Sequence, residues 1–236
     1  MGVPATPALI LWDVDHTLLD TGGVSRQMYA QAFQAVIGRP LQELADMTGR
    51  TERAIIAETL RRNGIADPRA LLPEFYAALG EAARGLQDRM RARGRRLPGA
   101  GQALAGLSGP GIVQSVVTGN LPAVAETKLA AFGLAGHLDL AVGGYGDDGD
   151  DRATLVRLAV KRAEAGYGST FPPGRTVVIG DTPHDVKGAQ DAGVRVVGVA
   201  TGASSAEDLR TAGADAVLAG LTDVAALRTA VLGAAR

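Results

Sequence analysis

Short apolar runs alternate with longer amphipathic stretches along most of this 236-residue chain. The apolar runs are bounded by turn residues and have the length of buried strands, whereas the amphipathic stretches show helical spacing. We predict strands at Leu9–Trp12, Ile112–Val117, Leu138–Val142, Thr176–Ile179, Val194–Val199 and Ala216–Leu218. We predict helices between them at Gly101–Leu107, Pro122–Phe132, Ala153–Ala165, His184–Ala192, Ala206–Ala212 and Asp223–Val231. This alternation predicts an α/β fold with a doubly wound parallel sheet, whose ligand site lies at the carboxyl ends of the strands.

One long segment interrupts the alternation. From Gly22 to Leu97 the pattern contains no good strand, only amphipathic helices at Val24–Ile37, Glu52–Arg62 and Arg69–Met90. Pro98 and Gly99 then mark the return to the sheet. We therefore predict a helical cap domain, residues 22–97, inserted into a core domain formed by residues 1–21 and 98–236.

Composition narrows the function classes. With 46% hydrophobic and 21% charged residues, the chain is typical of a soluble globular protein. Its formal net charge of -1 provides no basic field for nucleic acid or an anionic membrane. The absence of cysteine excludes disulfides, thiolate metal sites and cysteine nucleophiles. The apolar run Ala8–Trp12 is too short for a signal peptide or a membrane span, so we expect a cytoplasmic protein, monomeric or weakly dimeric.

Paired acids follow the first predicted strand, in the run Asp13-Val14-Asp15-His16-Thr17. Two carboxylates this close repel each other, and removing them from water is costly unless a cation compensates. Acidic pairs are nevertheless common in solvated loops, so the motif alone favours no function.

Two further strand ends carry polar groups. Thr118, Gly119 and Asn120 follow the second predicted core strand, and their hydroxyl, amide and backbone N–H groups suit either an anion or a helix N-terminus. Asp181 and Asp185 follow a later strand, and Asp185 falls where a carboxylate also favours a helix dipole. Carboxylates from two loops suffice to hold Mg²⁺. Because all three motifs lie at strand ends, we expect them to form one site.

In these motifs the chain resembles the haloacid dehalogenase superfamily, of the phosphatase type with a helical cap, as in phosphoglycolate phosphatase-like proteins. The resemblance rests on Asp13-Val14-Asp15-His16-Thr17, on Thr118-Gly119-Asn120 and on Gly180-Asp181-Thr182-Pro183-His184-Asp185, and it spans nearly the whole chain. It implies a Mg²⁺-dependent hydrolase that removes the phosphoryl group from a small phosphate ester.

The resemblance also implies residue roles. Asp13 would be the nucleophile that forms an aspartyl-phosphate, and Asp15 would be the general acid and base. Asp13, Asp15 (through its backbone carbonyl), Asp181 and Asp185 would hold the Mg²⁺. Phosphate-binding residues would be Thr17, Thr118, Gly119 and Asn120, and Arg50 could reach an anionic substrate from the cap.

The family's third motif departs from its commonest pattern, because residues 149–152 contain no lysine. Some family members supply this lysine from the helix after the second motif, where Lys128 lies. We therefore predict Lys128 as the site cation, with Arg152 as the alternative.

Two other functions stay open. A sugar phosphomutase of the same superfamily keeps both aspartates but usually has glycine where this chain has Thr17. A receiver-type phosphoacceptor module shares the strand-end aspartate, but it is about half this length and has no helical insertion. The natural substrate is not determined by these motifs.

Overall fold

A computed structural model describes residues 7–233, so residues 1–6 and 234–236 of the predicted core domain lie outside the described range. Within that range the strands are β1 (Ala8–Trp12), β2 (Leu19–Asp20), β3 (Arg95–Arg96), β4 (Ile112–Val116), β5 (Thr176–Gly180), β6 (Arg195–Val199) and β7 (Ala216–Leu218). Five of them form a parallel sheet in the order β4-β1-β5-β6-β7. The predicted α/β fold class is confirmed.

The described residues form the helices α1 (Val24–Ile37), α2 (Glu52–Arg62), α3 (Leu72–Gly85), α4 (Gln87–Arg93), α5 (Ala100–Gly106), α6 (Pro122–Ala131), α7 (Arg152–Tyr167), α8 (Pro183–Ala192), α9 (Ala206–Thr211) and α10 (Val224–Leu232). The six helices predicted between the strands are confirmed to within two residues at each end. No helix among residues 7–233 has both the length and the apolar character needed to cross a membrane.

Helices cover both faces of the sheet because its side chains alternate between them. Ile10, Trp12 and Ile179 pack in an apolar cluster with α5, α6 and α10. Their chain neighbours Leu11 and Val178 face the other side and pack with α7, α8 and α9. Burial on both faces explains why the strands are continuous apolar runs.

Helices α1–α4, called the cap helices below, enclose a separate apolar cluster. Phe33, Phe75 and Leu79 are fully buried in it, and Phe75 lies 6.5 Å from Phe33 between ring centroids. Leu121 and Val124 at the start of α6 complete the cluster. The cap helices therefore pack directly against the segment that follows β4.

Two expectations for residues 22–97 were wrong in detail. Arg95 and Arg96 form the short strand β3, which pairs antiparallel with β2 where the chain leaves and re-enters the core. The helix predicted at Arg69–Met90 is divided into a 3₁₀ turn at Arg69–Leu71, then α3 and α4. Pro73 lies in the first turn of α3 and cannot donate a backbone hydrogen bond. The 3₁₀ turn at Arg69–Leu71 is therefore separate from α3.

The predicted strand at Leu138–Val142 was also wrong, because Leu140–Val142 forms a 3₁₀ turn instead. The Asp139 side chain accepts a hydrogen bond of 3.0 Å from the Ala141 amide, which turns the backbone away from a strand ladder. Beside the sheet edge, Gly144 still exchanges backbone bonds with Val116 and Thr118. An apolar run alone did not reveal this local competition.

Candidate active site

The carboxyl ends of three neighbouring strands, β4, β1 and β5, meet under the cap helices. They border a cavity of about 360 Å³. The strand ends, α6, α7 and the cap all contribute residues to the lining of the cavity. These residues include Asp13, Asp15, Arg50, Thr118, Gly119, Asn120, Lys128, Arg152 and Asp181. The structure therefore brings most of the predicted site residues to one place.

The charged side chains at this edge of the sheet form two clusters. The first, called the inner cluster, consists of Asp13, Asp181, Asp185 and Arg152. One carboxylate oxygen from each aspartate lies within 4.8 Å of the others. Arg152 Nη2 lies 3.0 Å from Asp13 Oδ1 and 2.5 Å from Asp185 Oδ1. All four residues are buried, and Asp185 is fully excluded from solvent.

Electrostatics in the inner cluster disfavour charge on Asp13 and Asp181. Burial, together with the neighbouring Asp185, Asp181 and Asp15, raises the pKa of Asp13 well above its usual range, although Arg152 opposes the shift. Burial and then Asp185 raise the pKa of Asp181 to about 7. One arginine does not compensate three carboxylates, so the cluster is short of positive charge.

The start of α8 fixes the orientation of Asp185. Its Oδ2 accepts hydrogen bonds from the Thr182 amide (3.1 Å) and hydroxyl (2.7 Å), while the Thr182 hydroxyl caps the helix. This capping box leaves the buried Oδ1 with no hydrogen bond and directed at Arg152. Asp185 therefore caps the helix with one oxygen and offers the other to the site.

The acids of the inner cluster fit a hard divalent cation. Mg²⁺ prefers carboxylate oxygens and keeps several waters, so three carboxylates at this spacing offer a suitable set of ligands. Two further observations agree with a bound cation. Asp185 Oδ1 makes no hydrogen bond, and the pKa values of Asp13 and Asp181 are raised. A cation would offset the repulsion among these acids.

The second group, called the outer cluster, consists of Asp15, Asn120 and Lys128. Lys128 Nζ donates to both Asp15 oxygens, at 2.9 and 2.7 Å, and to Asn120 Oδ1 at 2.6 Å. Asn120 Nδ2 donates to Asp15 Oδ2 at 2.7 Å. The side chain of Lys128 is only 3% exposed, whereas that of Asp15 is 32% exposed and opens to the cavity.

In the outer cluster the neighbouring groups lower the pKa of the acid, whereas in the inner cluster the pKa values are raised. Burial alone would raise the pKa of Asp15, but the charge and hydrogen bonds of Lys128 and the Asn120 amide outweigh it and lower the pKa. Asp15 is therefore held ionised, although it lies only two residues from Asp13.

Two of the predicted phosphate ligands, Thr118 and Thr17, differ in their access to the cavity. The Thr118 hydroxyl oxygen accepts from Asn120 Nδ2 at 2.8 Å, and no described acceptor takes its hydrogen, which leaves it free for an anion in the cavity. Thr17 is fully buried, does not line the cavity, and donates to Asp181 Oδ1 at 3.2 Å. Its contact with phosphate stays a prediction.

Glycine lets the cap approach the core closely. Arg50 O lies only 2.0 Å from the position that a Cβ of residue 119 would occupy, so any side chain there would clash. The Glu52 amide donates to Gly119 O at 2.7 Å. A Cβ at Gly146 would lie 1.8 Å from Gly119 O, so this second glycine is equally restricted. These contacts fix the start of α2 at the edge of the cavity.

On the cap side of the cavity, Arg50 lies where the sequence predicted it, but Arg50 Nη1 is 2.7 Å from Glu58 Oε2. Glu52 and Tyr29 line the same wall and were missed by the sequence analysis. Glu52 follows Thr51, which caps α2, so in the sequence it reads as an ordinary acid at a helix start. Only the fold places it opposite the aspartates.

Comparisons with known proteins find relatives that match most of the chain. The chain is 27% identical to "Probable phosphatase IndB" of Dickeya dadantii over 95% of its own length and 94% of that protein. It is 29% identical to "Tyrosine-protein kinase PtkA" of Mycobacterium tuberculosis over 86% of its length, a match that spans 65% of that protein.

Solved structures share the fold. CbbY from Rhodobacter sphaeroides, crystallised with phosphate, superposes with a TM-score of 0.69 at 23% identity, covering 93% of this chain and 96% of CbbY. A hydrolase from Pseudomonas syringae gives a TM-score of 0.67 at 22% identity, covering 94% and 97%. The sequence model for haloacid dehalogenase-like hydrolases matches residues 10–190, which is most of the chain and contains every strand-end motif. This chain therefore belongs to the family of haloacid dehalogenase-like hydrolases.

Proposed function

We propose that the protein is a Mg²⁺-dependent phosphomonoester hydrolase that acts on a small phosphometabolite through an aspartyl-phosphate intermediate. The observation that carries this proposal is the pairing of two clusters in one cavity. The inner cluster offers three carboxylates within 4.8 Å of one another, and the outer cluster places a buried ammonium 2.7 Å from a fourth.

Asp13 is the nucleophile in this proposal. Its carboxylate attacks phosphorus, the bond from phosphorus to the leaving oxygen breaks, and the phosphoryl group is carried on Asp13. The attack requires an ionised carboxylate, yet burial and neighbouring acids raise the pKa of Asp13. Positive charge beside Asp13 is therefore part of the mechanism, and Arg152 supplies some of it through its 3.0 Å contact.

Asp13, Asp181 and Asp185, with the Asp15 backbone carbonyl, would hold the Mg²⁺. When bound, this ion would offset the repulsion among the carboxylates and the charge on the phosphoryl oxygens. Thr17, which donates to Asp181, would keep one of these ligands oriented.

Asp15 transfers the protons. It would protonate the leaving oxygen and then take a proton from the water that hydrolyses the intermediate. In the ligand-free protein Lys128 holds Asp15 ionised, which is the form required for the second step. A phosphate dianion would share the Lys128 ammonium and add negative charge, and both effects raise the pKa of Asp15 towards the acid form needed first.

Lys128, Thr118 and Asn120 would hold the phosphoryl oxygens. Because the transition state spreads charge over these oxygens, positioned donors supply most of the stabilisation. Both cations considered from the sequence occupy the site, and they serve different acids. Lys128 contacts Asp15, and Arg152 contacts Asp13 and Asp185.

The cap helices cover a cavity of about 360 Å³, a volume that suits a small ester better than a macromolecule. Purified protein should release inorganic phosphate from p-nitrophenyl phosphate and from members of a panel of phosphometabolites when Mg²⁺ is present. Chelation of the metal should stop the reaction. Absence of turnover across the panel, or transfer of phosphate between two positions of a sugar without release, would refute the proposal.

A further inference from the structure

Glu52 occupies an unusual position for a carboxylate. It is the first residue of α2, only 5% of its surface is exposed, and it lines the cavity together with Asp15 and Lys128. Its side chain makes one hydrogen bond among the described residues, from the Tyr29 hydroxyl to Oε2 at 3.2 Å. Tyr29 is itself buried and comes from α1. Two cap helices thus direct polar groups at the open side of the outer cluster.

The needs of helix α2 do not explain this burial. Thr51 already caps the helix by accepting from the Ala54 amide at 3.3 Å. An acid in the first turn favours the helix dipole equally well when it is solvated. Burying it instead costs free energy that one tyrosine hydroxyl does not recover, and burial raises the pKa of Glu52 to about 8 despite the charge of Lys128.

The cations around Glu52 are committed elsewhere. Lys128 is paired with Asp15, Arg152 with Asp13 and Asp185, and Arg50 with Glu58. None of the described cations forms an ion pair with Glu52. Arg26 also borders the cavity, but its side chain is exposed at the rim. The wall beside the proton-transferring Asp15 therefore presents a hydrogen-bond acceptor with spare capacity.

We propose that Glu52 and Tyr29 form the leaving-group subsite, which selects alcohols that carry an ammonium or hydroxyl donor near the ester oxygen and rejects those that carry a second anionic group. This inference rests on the proposed hydrolase function, since it is Asp15 that places the leaving oxygen on this side of the cavity. A donor on the leaving group satisfies Glu52, whereas a carboxylate or phosphate there would enter a poorly solvated space in which Lys128, Arg152 and Arg50 are already paired with other acids.

Four two-carbon or three-carbon monophosphates of similar size test this. They are 2-aminoethyl phosphate, 2-hydroxyethyl phosphate, propyl phosphate and 2-phosphoglycolate. We expect kcat/KM for the first two to exceed that for propyl phosphate by about tenfold or more, since leaving a buried carboxyl without its hydrogen bond is costly. Phosphoglycolate should be the poorest of the four. If the four substrates agree within about threefold, or phosphoglycolate is the best, the inference is wrong.

Variants assign the selectivity to the subsite. Glu52→Gln keeps the shape but replaces a carboxyl that can ionise against an ammonium with a neutral amide, so the preference for 2-aminoethyl phosphate over phosphoglycolate should fall about tenfold or more. Tyr29→Phe should reduce it less, because the carboxyl remains. Glu81→Gln, an exposed acid on α3 paired with Arg84, is the matched control and should leave the preference unchanged. An unchanged preference in folded Glu52→Gln would overturn the assignment.

Hydrolysis of p-nitrophenyl phosphate separates the two proposals. Its leaving group has no donor and so does not report on the subsite, and the control variant Glu81→Gln should hydrolyse it as wild type does. If wild-type protein fails to hydrolyse it with Mg²⁺, the proposed function fails. If it hydrolyses it while the four substrates show no preference, only the subsite fails. Should Glu52→Gln not fold, the wild-type series and Tyr29→Phe still decide the matter.

Discussion

The inner and outer clusters both combine carboxylates with a basic side chain, yet their charge states differ. The inner cluster places three buried carboxylates around one buried guanidinium. The outer cluster pairs one carboxylate with one ammonium and one amide, and its carboxylate opens to the cavity. The pKa of Asp13 is raised and that of Asp15 is lowered, although the two residues are separated only by Val14.

This difference shows that the ratio of acids to cations decides what an active-site aspartate can do. In the outer cluster Lys128 balances the charge of Asp15, which suits the proton transfer proposed for that residue. In the inner cluster Arg152 offsets only part of the negative charge, and in the proposed mechanism a bound cation would supply the rest. The two roles proposed for Asp13 and Asp15 therefore match different surroundings at one strand end.

The largest effect should come from exchanging each aspartate for asparagine. Asp13→Asn removes the nucleophile and should lower turnover of p-nitrophenyl phosphate by at least ~10³-fold, with no phosphoryl-enzyme formed. Asp15→Asn keeps the nucleophile, so rapid quenching should still detect a phosphoryl-enzyme whose hydrolysis is slow. Wild-type turnover in Asp13→Asn, or no difference between the two variants, would contradict the separate roles proposed for Asp13 and Asp15.

The next effect concerns Lys128. Lys128→Met removes the charge that lowers the pKa of Asp15, so that pKa should rise. The acidic limb of the pH profile for hydrolysis of the phosphoryl-enzyme, the step in which Asp15 accepts a proton, should then move to higher pH by about one unit or more. Turnover should fall by ~10²-fold. The exposed Lys161 provides the control, since Lys161→Met should leave both quantities unchanged.

Equal, small effects from the two lysine variants would contradict a role for Lys128 and shift the cation role to Arg152. Arg152→Met should act on the other cluster. It should lower turnover without moving the acidic limb, because Arg152 contacts Asp13 and Asp185 rather than Asp15.

A moderate effect is expected from metal and pH together. Protons compete with Mg²⁺ for Asp181, whose pKa is raised to about 7 by burial and by Asp185. The dissociation constant for Mg²⁺, measured by calorimetry, should therefore be about tenfold higher at pH 6 than at pH 8. Asp181→Asn should weaken binding at both pH values, whereas Lys128→Met should change it little. A constant that does not vary with pH would show that the inner cluster is not the metal site.

The smallest effect concerns protein stability and Glu52, which faces the outer cluster. Its pKa is about 8 in the folded protein against about 4.5 unfolded, mainly because it is buried, with Tyr29 and Lys128 opposing and Asp15 and Asp147 reinforcing the shift. Between these values the unfolded chain releases a proton that the folded chain retains, so this residue's contribution is lost as pH rises.

Glu52→Gln should remove that loss. Relative to wild type without ligand, its free energy of unfolding should rise by roughly 3–4 kcal/mol between pH 5 and pH 8, measured by urea titration. Glu81→Gln should show no such trend. Parallel curves for wild type and Glu52→Gln would indicate that Glu52 is ionised in the folded protein at neutral pH.

The fold was largely predictable from the sequence because buried parallel strands are continuous apolar runs between amphipathic helices. Five of the six predicted strands are confirmed. Leu138–Val142 failed because the Asp139 side chain turns the backbone, and β3 escaped notice because two exposed arginines carry no strand pattern. Apolar periodicity does not reveal local side-chain hydrogen bonds or pairs of two-residue strands.

The sequence by itself placed Asp13, Asp15, Asp181 and Asp185 at strand ends, and parallel strands necessarily bring such ends together. Tertiary structure alone decided which cation serves which acid. Lys128 reaches Asp15 from α6 and Arg152 reaches Asp13 from α7, and neither partnership follows from spacing along the chain. It also placed Glu52 and Tyr29 on the cavity wall, because the approach of the cap to Gly119 depends on packing between helices distant in sequence. Periodicity determines the elements, whereas the balance of charge between them arises only when they pack.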